Sequence, residues 1–300
     1  MLLRNFTWND VPAFAALAGM GLGEAEEYLR QPNLNPERDC TLALIDGGAA
    51  GYSLVVPELA IGRAVVEGSV TPERRGRGIG TALLARAIGH SKELGAGRVH
   101  TACKATEEDA SSLFRGAGFQ EVQRQWQMRL LPKDRKRSQA SHGGLMVRVL
   151  AEGEEALLAH LQNEVFAGSF GFAPNTQQEM AYRLRMSGGT PDDVLLLLNE
   201  DAPLAYCWTR LRRRGNERVG QIAMIGALPA ARGKGAGKAV LRAGLDHLVT
   251  RGAEAIELTV YQDNTPAVEL YKATGFRQLY AIIWFENRLN LGPVAKGAHA

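Results

Sequence analysis

Two short segments of this chain hold the residue types that bind phosphate oxygens. They are Arg75-Gly76-Arg77-Gly78-Ile79-Gly80 and Arg232-Gly233-Lys234-Gly235-Ala236-Gly237, the second followed by Lys238. Glycine lets the backbone come close to an anion, and the free N–H groups of a helix's first turn point at it. Each segment follows a β-like run ending in proline, at 70–72 and 227–229, and each opens an apolar-periodic stretch. A strand, a basic glycine loop and a helix N-terminus in that order make a cradle for a polyphosphate. Proton chemistry is represented by Tyr271, which can donate a proton, and by Glu67, which can take one.

The two segments keep one frame. Arg232 lies 157 positions after Arg75, and the same interval separates Gly275 from Gly118 and His247 from His90. The halves therefore align without a gap from the glycine loop to a terminal Gly118-Phe119 or Gly275-Phe276. One such hexapeptide is a weak signal, whereas two in a fixed frame with the same downstream element mark a duplicated unit. In that frame Phe114 stands opposite Tyr271, Glu107 opposite Asn264, and Met224 opposite Glu67.

Positioning these residues requires a strand before each loop and a helix after it, and the pattern supplies both. In the second half, 145–150 reads as a strand, 154–165 and 177–186 as helices, and the apolar run 194–198 as a buried strand turning at Glu200-Asp201 into 204–211. The run 221–227 feeds the loop. The helix at 237–251 puts Val240, Leu241, Leu245 and Leu248 on one face. A strand at 255–260, a helix at 266–273 and strands within 279–288 complete the half. The first half repeats the order: 42–45 and 52–56 about a turn at Asp46-Gly47-Gly48, then 64–70, a helix at 82–94, a strand at 99–103, a short helix at 110–115, and 125–131 as the closing strand. Antiparallel strands followed by helical crossovers imply a mixed α/β sheet in each half. The expected domains are 1–131 and 145–291, joined by a basic, aperiodic linker at 132–144 and followed by a tail at 292–300.

Length gives the same count, since 300 residues at about 150 per domain make two domains. A net charge of +3 is too small for a dedicated nucleic-acid binder. Cys40, Cys103 and Cys207 are isolated, without metal spacing, and read as buried apolar residues in a reducing cytoplasm. No leader, membrane-spanning stretch or metal site is expected.

The loops and their downstream elements resemble the GNAT acetyltransferases. The family's pyrophosphate pattern, Arg or Gln-x-x-Gly-x-Gly or Ala, is matched by Arg75, Gly78 and Gly80 and by Arg232, Gly235 and Gly237. Its later element, an Asn before a helix that carries Tyr and ends in Gly-Phe, is matched by Asn264, Tyr271 and Gly275-Phe276. Within the family the tandem layout is similar to mycothiol synthase-like proteins, through Asn163, Val165-Phe166-Ala167-Gly168, Trp208-Thr209 and Val260-Tyr261-Gln262-Asp263-Asn264. The resemblance implies two tandem GNAT domains, each a mixed central sheet flanked by helices, with a splayed parallel strand pair that admits the pantetheine arm of acetyl-CoA. It places the pantetheine amides on Ile225, Gly226 and Ala227, and in the first half beside Val70. The pyrophosphate falls on the two hexapeptides, and Tyr271 is the acid that protonates the leaving thiolate. The strand glutamate of mycothiol synthase-like proteins falls on Gln221, another base position of the family falls on Thr259, and Glu257 is a fallback. Ser169-Phe170 stands where those proteins continue His-Pro.

The leading expectation is acetyl transfer from acetyl-CoA to a primary amine in the C-terminal domain, with the N-terminal domain chiefly structural. The acceptor is a small molecule, with a protein N-terminus or lysine also open. Phe166, Phe170, Phe172, Tyr182, Tyr206 and Trp208 could line its pocket or simply form core. His160 and His247 read as helix surface. Two other readings fit the same residues: catalysis in the N-terminal domain with Glu67 as base, or an acetyl-CoA sensor without turnover.

Overall fold

The computed structural model describes residues 1–135 and 144–289. Of the expected linker at 132–144, residues 136–143 lie outside the described residues, as does the expected tail at 292–300. The first half runs β1 (Leu2–Asn5), α1 (Val11–Ala18), α2 (Leu22–Leu29), α3 (Pro36–Asp39), β2 (Cys40–Ile45), β3 (Gly48–Glu58), β4 (Arg63–Val70), α4 (Ile79–Glu93), β5 (Arg98–Lys104), α5 (Glu108–Gly116) and β6 (Gln120–Leu130). The second runs β7 (Met146–Val149), α6 (Glu155–Phe166), α7 (Gln177–Arg185), β8 (Val194–Asn199), β9 (Ala202–Arg214), β10 (Glu217–Ala227), α8 (Ala236–Thr250), β11 (Ala255–Tyr261), α9 (Thr265–Thr274) and β12 (Arg277–Arg288).

The chain forms two compact units. One holds Met1–Gln123 and the chain from Ile283; the other holds Arg124–Ile282. In the first unit the strand order is β1-β2-β3-β4-β5-β12, and in the second β6-β11-β10-β9-β8-β7. Residues 125–131, expected to close the first half, lie instead in the second unit, where β6 pairs antiparallel with β11 from Gln125↔Tyr261 to Leu130↔Ile256. The end of β12 lies in the first unit, where Leu289 donates its N–H to Gly97 O at 2.9 Å. Each unit is thus completed by the last strand of the other half.

Apolar faces cover both sides of each sheet. In the first unit Phe6, Phe14, Leu29, Leu42 and Leu54 pack between the sheet and α1 and α2. Leu84, Val99 and Phe119 fill the α4 and α5 side, together with Phe285 of β12. In the second unit Leu158, Met180, Leu196, Tyr206 and Trp208 form the layer under α6 and α7. Val240, Leu245, Leu258, Val268 and Tyr271 form the layer under α8 and α9. Burying such side chains contributes about 1.5–3 kcal/mol each. The three cysteines are buried and unbridged, as the sequence suggests. Arg135, on the expected tether, hydrogen-bonds Asp246 Oδ1 on α8 at 2.6 Å. Among the described residues no helix is long and apolar enough to cross a membrane.

Candidate active site

Both units contain a fork. In the second, β10 and β11 pair in parallel only at Val219↔Ala255, Gly220↔Ile256 and Gln221↔Glu257. Beyond Gln221, β10 stays with β9 as far as Ala227↔Ala205, while β11 stays with β6. A bulge between Ile222 and Met224 lies just past the parting and re-aims the next backbone groups. Ile225 and Gly226 therefore present one strand edge with no ladder on the β11 side. In the first unit β4 and β5 pair only at Arg63↔Arg98, Ala64↔Val99 and Val65↔His100. There β4 pairs with β3 in unbroken register to Val70.

The glycine loops lie at the open ends of the forks. Gly76 and Gly78 have φ of 70° and 76°, and Gly233 and Gly235 have 71° and 84°. This left-handed region disfavours side chains, and it turns each loop into its helix. Gly78 and Gly235 occupy the N-cap positions of α4 and α8, and no side chain caps either helix. The first-turn N–H groups, around Ile79-Gly80 and Ala236-Gly237-Lys238, have no intrahelical acceptor, so they remain available to an anion. Arg77, Lys234 and Lys238 are exposed beside them. The leading arginines act differently. Arg75 Nε donates to Val70 O at 3.1 Å, and Arg232 Nε donates to Ala227 O at 3.2 Å, the same contact in the repeat frame. Arg232 Nη2 also reaches Val165 O at 2.8 Å. These side chains strut the loop against the strand end, and Arg232 takes up the carbonyl of Ala227, one of the three residues whose backbone was expected to hold the pantetheine amides.

Gly226 has a steric reason. A Cβ there would lie 2.1 Å from Val165 Cγ1, so α6 crosses β10 in direct contact with bare backbone. Asn264 serves as N-cap of α9, its side chain accepting the Ala267 N–H at 3.4 Å. Gly275, at φ 112°, ends the helix, and the N–H of Phe276 returns to Tyr271 O at 3.0 Å. The Phe276 ring then packs edge-on to Tyr271, centroids 5.8 Å apart. The Gly-Phe element thus fixes the tyrosine. Tyr271 is 6% exposed, and its hydroxyl has no hydrogen-bond partner among the described residues. Burial, with a smaller contribution from Cys207, holds the phenol well above its usual range, so it carries its proton at neutral pH. Phe114 repeats the packing on Phe119 and on Phe285 without a hydroxyl.

The base positions differ between the units. Gln221 lies in the β10 ladder between Arg210 and Glu257. Thr259 is exposed. Glu257 is 4% exposed and receives Arg129 Nη1 at 2.8 Å, Arg214 Nη1 at 3.1 Å and Gln127 Nε2 at 3.2 Å. These three donors tie the Glu257 carboxylate to β6 and β9. Glu67 in the first unit has a different environment. Both of its oxygens accept the Tyr28 hydroxyl at 2.9 Å. Burial pushes its carboxyl above the usual carboxylate range, partly opposed by that hydrogen bond. Sequence reasoning missed Tyr28, because the contact spans 39 residues and α2 carries no motif.

Of the expected aromatic lining, Tyr206 and Trp208 are core, 0% and 3% exposed. Phe170 packs edge-on to Tyr261 at 5.8 Å, and the Tyr261 hydroxyl donates to Phe170 O at 3.1 Å. Phe166 and Phe172 meet at 6.2 Å. The 166–172 segment is therefore tied to the end of β11, beyond the fork. Tyr182 is half-buried on α7, His160 is exposed, and His247 lies 3.2 Å from Arg251 Nη1.

A family model described as the acetyltransferase (GNAT) family matches residues 10–119 and again 144–276. A mycothiol acetyltransferase of Nocardia farcinica is 32% identical over 240 residues, covering 78% of this chain and 78% of the relative. Another, from Actinosynnema mirum, is 30% identical over 305 residues, covering 94% of this chain and 99% of the relative. Among solved structures, a GCN5-related N-acetyltransferase from Sphaerobacter thermophilus gives a TM-score of 0.75 at 23% identity, covering 96% of this chain and 95% of that one. A tandem GNAT protein from the clavulanic acid biosynthesis pathway gives 0.73 at 16% identity, covering 97% and 99%.

Proposed function

We propose that this chain, which belongs to the acetyltransferase (GNAT) family, moves the acetyl group of acetyl-CoA to a primary amine of a small molecule in the unit that carries Tyr271. The observation that carries the assignment is Tyr271 itself: a buried, protonated phenol with no hydrogen-bond partner among the described residues, fixed by Gly275-Phe276, where the first half has Phe114. The expected domains 1–131 and 145–291 are read as the two sequence repeats, each completed in space by the other's last strand. The relatives named mycothiol acetyltransferase favour a small-molecule acceptor over a protein one.

Acetyl-CoA supplies an activated acyl group. The N–H groups of Gly233 to Lys238 receive its pyrophosphate, and the open edge at Ile225-Gly226 receives its amide arm. Holding amine and thioester together contributes about 7–11 kcal/mol toward the barrier. Tyr271 donates its proton to the departing sulfur. Gln221 cannot take a proton and Glu257 is held by arginines, so the ammonium proton passes to water before attack.

One observation favours a second reading. Glu67 is a half-buried carboxylate whose hydrogen-bond partner among the described residues is a phenol, two residues past the fork of the first unit. In that reading the first unit transfers acetyl groups with Glu67 as base. Gly78→Glu and Gly235→Glu, assayed separately for thiol release on an amine panel with product identification by mass spectrometry, separate the two. Loss of turnover in Gly235→Glu alone supports the first reading, and loss in Gly78→Glu alone replaces it with the second. Binding of CoA with no thiol release on any amine leaves a sensor.

A further inference from the structure

We infer that two largely buried polar pairs, Arg129–Glu257 and Glu286–His100, are positioning devices that brace the forks, each supplied by the last strand of the other half. In the second unit the last parallel pair before the strands part is Gln221↔Glu257. Directly across β11 from Glu257, on its other side, stands Arg129 of β6. Its Nη1 meets Glu257 Oε1 at 2.8 Å, and Arg129 also pairs with Glu217 at the start of β10. In the first unit the last parallel pair is Val65↔His100. His100 is 3% exposed, and its Nε2 lies 2.9 Å from Glu286 Oε2 of β12. Its Nδ1 lies 3.2 Å from Arg63 Nη1, and Arg63 also pairs with Glu58. An arginine only donates, so Nδ1 accepts and Nε2–H faces the carboxylate.

The two pairs are the same positions in the repeat. Glu257 lies 157 positions after His100, and Glu286 lies 157 after Arg129. Both sit at the vertex of a fork, and their polarity is reversed. Past the vertex each strand has an unmatched edge that could zip shut against the other. A carboxylate held by a donor on the neighbouring strand, the Arg129 guanidinium for Glu257 and the neutral His100 imidazole N–H for Glu286, anchors the departing strand to its outer neighbour and resists this, because separating the pair leaves the carboxylate without that donor in the interior. The reversed polarity also sorts the strands. Had each half kept its own last strand, Arg129 would face His100 and Arg63, and Glu286 would face Glu257. Like charges buried together are disfavoured, so the exchanged arrangement is the one the charges accept.

The brace rests on the reading that the forks receive acetyl-CoA. The test uses the full-length protein with Arg129→Met, which keeps volume, Glu257→Gln, which keeps shape, and the reversals Arg129→Glu and Glu257→Arg, made singly and together. Acetyl-CoA KM, turnover, acetyl-CoA binding by calorimetry, and amide exchange of Ile222 to Ala227 are measured. The brace predicts a rise of tenfold or more in acetyl-CoA KM with a smaller change in kcat, and greater amide protection at Ile222 to Ala227 as the fork closes. The double reversal recovers more affinity than either single reversal. Folded variants with KM within twofold of the parent and unchanged exchange overturn it. Should Arg129→Met fail to fold, the shape-conserving Glu257→Gln decides by the same criteria. A parent protein that binds no acetyl-CoA overturns the acyl-transfer reading instead, while the exchange measurement still judges the brace.

Discussion

Tyr28 donates its hydroxyl to both carboxylate oxygens of Glu67 at 2.9 Å, and no cation accompanies the pair among the described residues. The raised carboxyl of Glu67 has a thermodynamic consequence. The folded state holds this proton more tightly than the unfolded chain does. Stability is therefore lost as pH rises from the unfolded carboxylate value toward the folded one, and no such loss exists below both. Glu67→Gln keeps the shape and the acceptor for Tyr28 while removing the charge. It is expected to raise the unfolding temperature at pH 7 and leave it unchanged near pH 4. Equal effects at the two pH values would show that Glu67 carries no burial penalty.

Gly226 and Val165 leave no room for a side chain. A Cβ on Gly226 falls 2.1 Å from Val165 Cγ1, far inside van der Waals contact. Gly226→Ala is expected to cost about 1–3 kcal/mol of stability through overpacking. Adding Val165→Ala should recover part of that loss, because the two residues share one contact. Chemical denaturation of the four proteins in the cycle measures the coupling; strictly additive effects would contradict the contact.

Gln221 stands at the vertex of the second unit's fork, and its amide cannot act as a base. Turnover is then expected to rise with pH in step with the free-amine fraction of the acceptor. Gln221→Glu installs a proton acceptor in that ladder and should raise kcat/KM at pH 7 by about tenfold or more, with a smaller gain at high pH. A pH–rate profile of both proteins checks this. Parallel profiles would mean that position 221 does not meet the amine.

Local features were legible in the sequence, and long-range ones were not. The 157-residue frame, the glycine loops and the Gly-Phe elements are local patterns, and the strands and helices around them appear where periodicity puts them. The forks are not local. They exist because hydrogen-bond register stops at Gln221 and at Val65, and nothing in either strand marks that point. The exchanged strands were hidden for a related reason. β6 and β12 each follow a Gly-Phe element and have similar character, so sequence order assigns each to its own half. Arg129 and Glu286 become informative only when Glu257 and His100 are seen opposite them. The bulge in β10 also breaks the frame: upstream of it Gln221 matches Val65 of the first fork, at 156 rather than 157 positions, which a gapless alignment cannot show.

Protonation of the leaving thiolate by Tyr271 in the second unit stands or falls on one variant. Tyr271→Phe keeps the ring against Phe276 and removes only the hydroxyl. Steady-state thiol release by this variant is measured at pH 7 with saturating acetyl-CoA, beside calorimetric acetyl-CoA affinity. An acid at this position predicts a fall in kcat of at least about tenfold with affinity retained; unchanged kcat at unchanged affinity would contradict it.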